Sequence, residues 1–152
     1  MQGRSGLRDH LDWDIDGRDW PNHSASRFVD AGGLRWHVQQ FGLDEGVAID
    51  DAAARNARRP SILLLHGTGS SSHSWRAVAP LLAQRCRVLV PDLPGHAFTS
   101  LSSPLSGQSL PGMAHSVGAL LAALQFDPDL IVGHSAGAAI GAQVVLAGHA
   151  LP

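Results

Sequence analysis

Leu130-Ile131-Val132 is a short apolar run, and it leads directly into Gly133-His134-Ser135-Ala136-Gly137. The stretch from Ala136 to Ala147 is built of small and apolar residues and reads as a helix. A run that is apolar on both faces suits a buried parallel strand. The chain must therefore pass from a buried strand into a helix within one tight turn. Such a turn holds its central residue, Ser135, in a strained backbone conformation. Residues two places to either side must be small, or their Cβ atoms would collide with the turn. Gly133 and Gly137 meet that need. A sequence with this feature is committed to layers in which helices cover a sheet.

The rest of the chain repeats the alternation. Ser61 to Leu65 is a second apolar run, ending in His66-Gly67, and Arg87 to Val90 is a third, stopped by Pro91. Between them, Trp75, Val78, Leu81 and Leu82 recur at helical spacing, which predicts one amphipathic helix from Ser74 to Gln84 with Ser72 or Ser74 as its cap. Leu110 to Leu124 predicts a longer helix that tolerates Pro111 in its first turn. Upstream, Arg27 to Asp30 and the alternating Leu34 to Phe41 flank Ala31-Gly32-Gly33, a turn in which glycine accepts positive φ. The expected fold is α/β: a mostly parallel, doubly wound sheet with an N-terminal antiparallel hairpin. Residues 1–25 are polar and aperiodic and read as a loose arm anchored by Trp13 and Trp20, with 26–152 forming the body. Leu43 to Pro60 reads as an exposed connection with a short helical turn, and Phe98 to Gly107 as a loop.

Composition narrows the function classes. The chain has 152 residues, 44% hydrophobic and 16% charged, enough for one modest domain with a real core. Its formal net charge of -2 gives no reason to expect nucleic acid or an acidic membrane surface as a partner. The single cysteine, Cys86, excludes an internal disulfide framework and suits a reducing, cytoplasmic setting. The first twenty residues contain no apolar signal segment, and no apolar run approaches the roughly 20 residues of a membrane helix.

The chemistry concentrates at strand ends. The turn lifts the Ser135 hydroxyl clear of the sheet and sets the N-terminus of a helix, with its unpaired N–H groups, beneath the reaction centre. Ser135 is the candidate nucleophile, the alternative being a plain glycine-rich turn. Acyl transfer needs two donors aimed at the developing oxyanion. The backbone N–H of Ala136 is one, and the loop His66-Gly67-Thr68-Gly69 offers the other at Thr68. Gly67 and Gly69 let that loop turn inward. His66, Trp75, His96 and His134 are candidates to line the pocket, with His66 and His96 alternatively bracing loops. Asp92, after the third apolar run, poses as an acid but reads better as an organiser of its own loop through local backbone hydrogen bonds. His37 and His115 read as ordinary surface or edge histidines.

A serine nucleophile needs a histidine base and an acid to orient it. After Ser135 there is no Asp or Glu, and the one histidine, His149, lies 14 residues on. Along a helix that is about 21 Å, out of reach. The triad acid and base are therefore expected outside these residues, with the chain truncated after the nucleophile helix. No histidine pair has metal-ligand spacing with a carboxylate, so neither a metal nor a cofactor is expected.

The segments HGTGSSSHSW, PDLPGHAFT and VGHSAGAAI resemble the α/β-hydrolase superfamily, over about 27–147. Three further stretches, DWPN, ASRFVDAGGLRWHVQ and SLPGMAHSVGALLAAL, resemble the magnesium-chelatase accessory hydrolases of bacteriochlorophyll synthesis. The resemblance implies a serine hydrolase with Ser135 as nucleophile and Thr68 and Ala136 as oxyanion donors. It also implies a small-molecule substrate, with magnesium chelatase or a tetrapyrrole as possible partners. The link from Leu43 to Pro60 is longer than that family pattern has. Two functions stay open: hydrolysis of an ester, thioester or amide through an acyl-serine, or a non-catalytic accessory that uses the pocket to hold a tetrapyrrole or partner subunit. A haloalkane or epoxide hydrolase would want an aspartate at position 135.

Overall fold

The computed structural model describes residues 11–42, 59–101 and 105–150. The connection expected over Leu43 to Pro60 falls almost wholly outside the described residues, as do the first ten residues of the arm. Five strands form one mixed sheet: β1 (Ser26–Ala31), β2 (Leu34–Phe41), β3 (Ser61–Leu65), β4 (Arg87–Pro91) and β5 (Leu130–Gly133). Their spatial order is β1-β2-β4-β3-β5. The hairpin β1–β2 is antiparallel, with Gly32 and Gly33 at φ +58° and +77° in its turn, and β2 pairs antiparallel with β4. The three apolar runs β4, β3 and β5 pair parallel. The α/β architecture and the hairpin expected from the sequence are both present.

Period-two alternation explains the two cores. Leu63 and Leu65 of β3 face one side, with Trp36, Val38 and Leu89. That side is covered by two helices, α3 (Leu110–Leu124) and α4 (Ala136–Leu146). Ile62 and Leu64 face the other side with Val88 and Val90, beneath Ala79 of the short helix α2 (Val78–Leu82). In α3 the stripe Ala114, Val117, Leu120 and Leu121 is buried, and Ser109 caps its start by accepting from the Gly112 N–H at 3.2 Å.

Two expectations are corrected here. The single helix expected from Ser74 to Gln84 is instead a 3-10 turn, Ser72–Trp75, followed by α2. The cause is Pro80: it has no N–H to bond the Arg76 carbonyl, and its ring crowds that carbonyl. The freed Arg76 oxygen accepts the Asn22 side-chain amide at 3.0 Å instead. The cap of the 3-10 turn is Ser71, not Ser72 or Ser74. The arm, too, is structured over its described residues, 11–25. It forms a helical turn, α1 (Trp13–Asp16), and a 3-10 turn, His23–Ala25. Trp13, half-buried, packs against His23, Phe28, His37 and Phe98, so ring contacts tie α1 to the sheet and to the loop after β4. Trp20 packs on Phe98 and His73 and donates its ring N–H to Ser72 Oγ at 3.3 Å.

β5 has only β3 beside it among the described residues, and Leu130 at its start is half exposed. An apolar groove of about 520 Å³ runs along this strand, floored by Leu130, Ile131 and Val132 and walled by Ala138 and Val145 of α4. Among the described residues no helix is long and apolar enough to cross a membrane.

Candidate active site

Ser135 joins β5 to α4 at φ +55° and ψ -120°, a conformation that non-glycine residues rarely adopt. The tightness of the turn is visible at its two glycines. A Cβ on Gly133 would lie 2.4 Å from the Ala138 nitrogen, and one on Gly137 2.4 Å from the Leu65 carbonyl oxygen and 2.6 Å from that of His66. Both obstacles are backbone, so neither position accepts a side chain without moving the helix. The result is an exposed Ser135 at the carboxyl end of the central parallel strands. No hydrogen bond among the described residues engages its hydroxyl.

The loop after β3 lies alongside. A Cβ on Gly67 would sit 3.2 Å from both Ser135 Cβ and His134 Nδ1, so the loop and the turn are in contact. Gly69 is held at φ +71° with open space where a Cβ would be, so its need for glycine is conformational. Thr68 and Ala136 line one common cavity of about 320 Å³ beside Ser135, together with Leu93, His96, Met113 and Ile140. Among the described residues no hydrogen bond uses the backbone N–H of either Thr68 or Ala136. Two residues whose backbone N–H groups are unengaged among the described residues thus line one cavity, and one of them, Ala136, directly follows Ser135.

His66 fixes the loop from below. It is fully buried, its Nδ1–H donates to the Gly67 carbonyl at 2.8 Å, and its Nε2 accepts the Leu93 N–H at 2.9 Å. Those two bonds define a neutral ring with its proton on Nδ1. Burial lowers its pKa below the ordinary 6.5, against the opposing pull of the Gly67 carbonyl and the Asp92 charge and with the help of His96. His66 therefore braces the loop and does not line the cavity; His96 does line it. Trp75 packs half-buried on the apolar cluster under α2, and His134 is exposed on the turn; neither lines the cavity.

Asp92 reaches further than its own loop. Its carboxylate accepts the Ser72 N–H at 2.6 Å, the Phe98 N–H at 3.4 Å and the His37 ring Nδ1–H at 2.7 Å. Burial would raise its pKa. The hydrogen bond and charge of His37, joined by Ser72, outweigh that and hold the carboxyl below the ordinary range. One buried carboxylate thus ties the loop after β3, the loop after β4 and strand β2 together. His37 is accordingly not a surface or edge histidine: it is fully buried and paired with Asp92, and its Nε2 has no partner among the described residues. Sequence reasoning missed this pair because the two residues are 55 positions apart and share no motif. His149 meets His115 of α3 edge to face, at the far end of α4 from Ser135. Among the described residues no group of three His, Cys, Asp or Glu side chains could hold a metal.

Comparison with known proteins follows the same lines. The sequence model of a family described as having the alpha/beta hydrolase fold matches residues 60–148. The chain is 38% identical over 128 residues to the magnesium-chelatase 30 kDa subunit of Rhodobacter capsulatus, covering 84% of this chain and 40% of that protein. It is 36% identical over 95 residues to the pimeloyl-[acyl-carrier protein] methyl ester esterase of Aeromonas hydrophila, covering 60% of this chain and 34% of that protein. Among solved structures it is similar to epoxide hydrolase VrEH1 from Vigna radiata, with a TM-score of 0.65 at 26% identity over 83% of this chain and 37% of that one. In each case the chain spans well under two thirds of the relative's length.

Proposed function

The chain belongs to the α/β-hydrolase fold family, and from that premise we propose that it carries the nucleophile and oxyanion site of a serine hydrolase acting on an ester, thioester or amide. The observation that supports this most is the juxtaposition at one cavity. An exposed serine in a strained turn adjoins a cavity lined by two residues with unengaged backbone N–H groups, Thr68 of the loop after β3 and Ala136 at the start of α4. Ser135 Oγ attacks the carbonyl carbon, and its proton passes to a base. The carbonyl oxygen gains charge between the Thr68 and Ala136 N–H groups, the leaving group departs with a proton, and water then cleaves the acyl-serine. Serine at position 135 favours this chemistry over epoxide opening, which calls for a carboxylate there. With no base or acid placed at Ser135 among the described residues, residues 1–152 by themselves are expected to be inactive.

The similarity to the magnesium-chelatase subunit favours a second reading. In it, an accessory protein uses the same fold to hold a tetrapyrrole or to contact magnesium chelatase. A fluorophosphonate probe separates the two. In the complete polypeptide encoded by the gene, the serine hydrolase reading expects covalent labelling of Ser135 and loss of both labelling and ester turnover in Ser135→Ala. An unlabelled Ser135, or labelling that persists in the variant, refutes it and leaves the accessory reading.

A further inference from the structure

The cavity beside Ser135 carries information about what the site accepts. Its floor is made of buried Leu93 and Ile140, and its walls of Leu110 and Met113 from the first turn of α3 and Ala139 from α4. The polar side chains among its lining residues are those of Thr68, Gln108 and His96, and none of the residues lining it carries a fixed charge. Thr68 and Ala136, the two residues with unengaged N–H groups, both line it, so on the serine hydrolase reading a carbonyl oxygen held by those groups brings one substituent of its carbon to this space. A carboxylate or ammonium group carried there would leave water without a counter-ion. An alkyl chain would lose only its contact with water, which favours entry.

Resting on the serine hydrolase reading, we propose that this cavity is an acyl pocket for uncharged, unbranched apolar chains of short to medium length, with Ala139 and Met113 setting the length. The size limit follows from the volume. If each chain carbon takes about one water's share of space, roughly 30 Å³, then 320 Å³ holds at most about ten carbons. The cavity opens to solvent, so only part of that space grips a chain, and chains of about four to eight carbons fit best. Met113 suits a pocket that admits several lengths, because its unbranched thioether side chain adapts to irregular gaps. A macrocycle is excluded from this cavity by size, although an ester on the rim of a larger molecule can still reach Ser135.

The test is a chain-length series of p-nitrophenyl esters, acetate to dodecanoate, with the complete polypeptide. The expected kcat/KM rises by up to about fourfold per added methylene, peaks between butanoate and octanoate, and falls for dodecanoate. A hexanoyl-length ester ending in a carboxylate reacts at least tenfold more slowly than its methyl-terminated counterpart. Ala139 is exposed, so Ala139→Trp is compatible with folding. It should lower the hexanoate-to-acetate ratio at least tenfold, with Ala139→Leu shifting it the same way by less. Leu146→Trp, at the exposed far end of α4, serves as control and keeps the ratio. A flat profile, or a ratio unmoved by Ala139→Trp in a protein whose Ser135 is labelled, overturns the pocket while leaving the nucleophile intact. If Ser135 takes no alkyl fluorophosphonate of any length, the nucleophile reading fails and the pocket falls with it.

Discussion

Two glycines of one helix should behave differently when given the same methyl group. Gly137 and Gly141 both lie in α4, and replacing either by alanine favours the helix by at most about 1 kcal/mol. Their surroundings differ. A Cβ on Gly137 would sit 2.4 Å and 2.6 Å from the carbonyl oxygens of Leu65 and His66. A Cβ on Gly141 would come closest to the Ile131 Cγ2 methyl at 2.8 Å, with Leu65 Cδ1 at 3.6 Å; both are side-chain atoms, and Ile131 is only half-buried on β5. Relief at Gly137 requires α4 to lift about 1 Å from β3, since close carbon contacts begin near 3.5 Å. That lift breaks the packing of Ile140 and Val144, both buried against the sheet, and overpacking of this kind costs about 1–3 kcal/mol or more. Gly137→Ala is therefore expected to destabilise by about 2–4 kcal/mol. Gly141→Ala is expected to stay within about 1 kcal/mol of the parent, because propensity offsets a small side-chain shift. Urea unfolding followed by tryptophan fluorescence gives both values, and fluorophosphonate labelling at equal folded fraction gives the effect on Ser135. Equal stability of the two variants would refute the argument that backbone contact at the turn dictates glycine at position 137.

Two further outcomes follow from the buried titratable groups. Asp92→Asn replaces a carboxylate that accepts three donors with an amide that must point N–H groups at some of them, and should cost about 3–5 kcal/mol in urea unfolding. A smaller loss for Asp92→Asn in a His37→Phe background would confirm that the pair acts as a unit, whereas full additivity would show that it does not. Stability should also fall as the pH drops from 6.5, because unfolded His66 takes up a proton that the buried, neutral ring resists until a lower pH. A second loss should follow below 3.8, as the unfolded Asp92 carboxyl protonates before the folded one. His66→Asn, measured by thermal unfolding from pH 7 to 5, should flatten the first slope. An unchanged slope would assign it elsewhere.

The turn at Ser135 was legible because its physics is local. Gly133 and Gly137 stand two residues from the serine, and the collision that requires them involves neighbouring backbone. The three parallel strands were legible for a similar reason, as runs apolar on both faces advertise burial without naming a partner. Proline is local too, yet the helical periodicity from Ser74 to Gln84 hides the break that the missing N–H of Pro80 imposes. What the sequence could not reveal depends on contacts between distant segments. Trp13 looked like an anchor of a loose arm, but only the folded chain gives it the pocket formed by Phe28, His37 and Phe98 that orders the arm around it. Asp92 read as a local organiser because its nearest neighbours are backbone N–H groups. Its strongest partner, His37, comes from β2, and only the β2–β4 pairing brings the two within 2.7 Å. The cavity beside Ser135 is likewise assembled from four separate stretches, at Thr68, at Leu93 and His96, from Gln108 to Met113, and from Ala136 to Ile140. The strained turn that carries the proposed nucleophile was therefore written into five consecutive residues. The shape and polarity of what it faces came from tertiary packing, because burial and partner choice are properties of the whole fold.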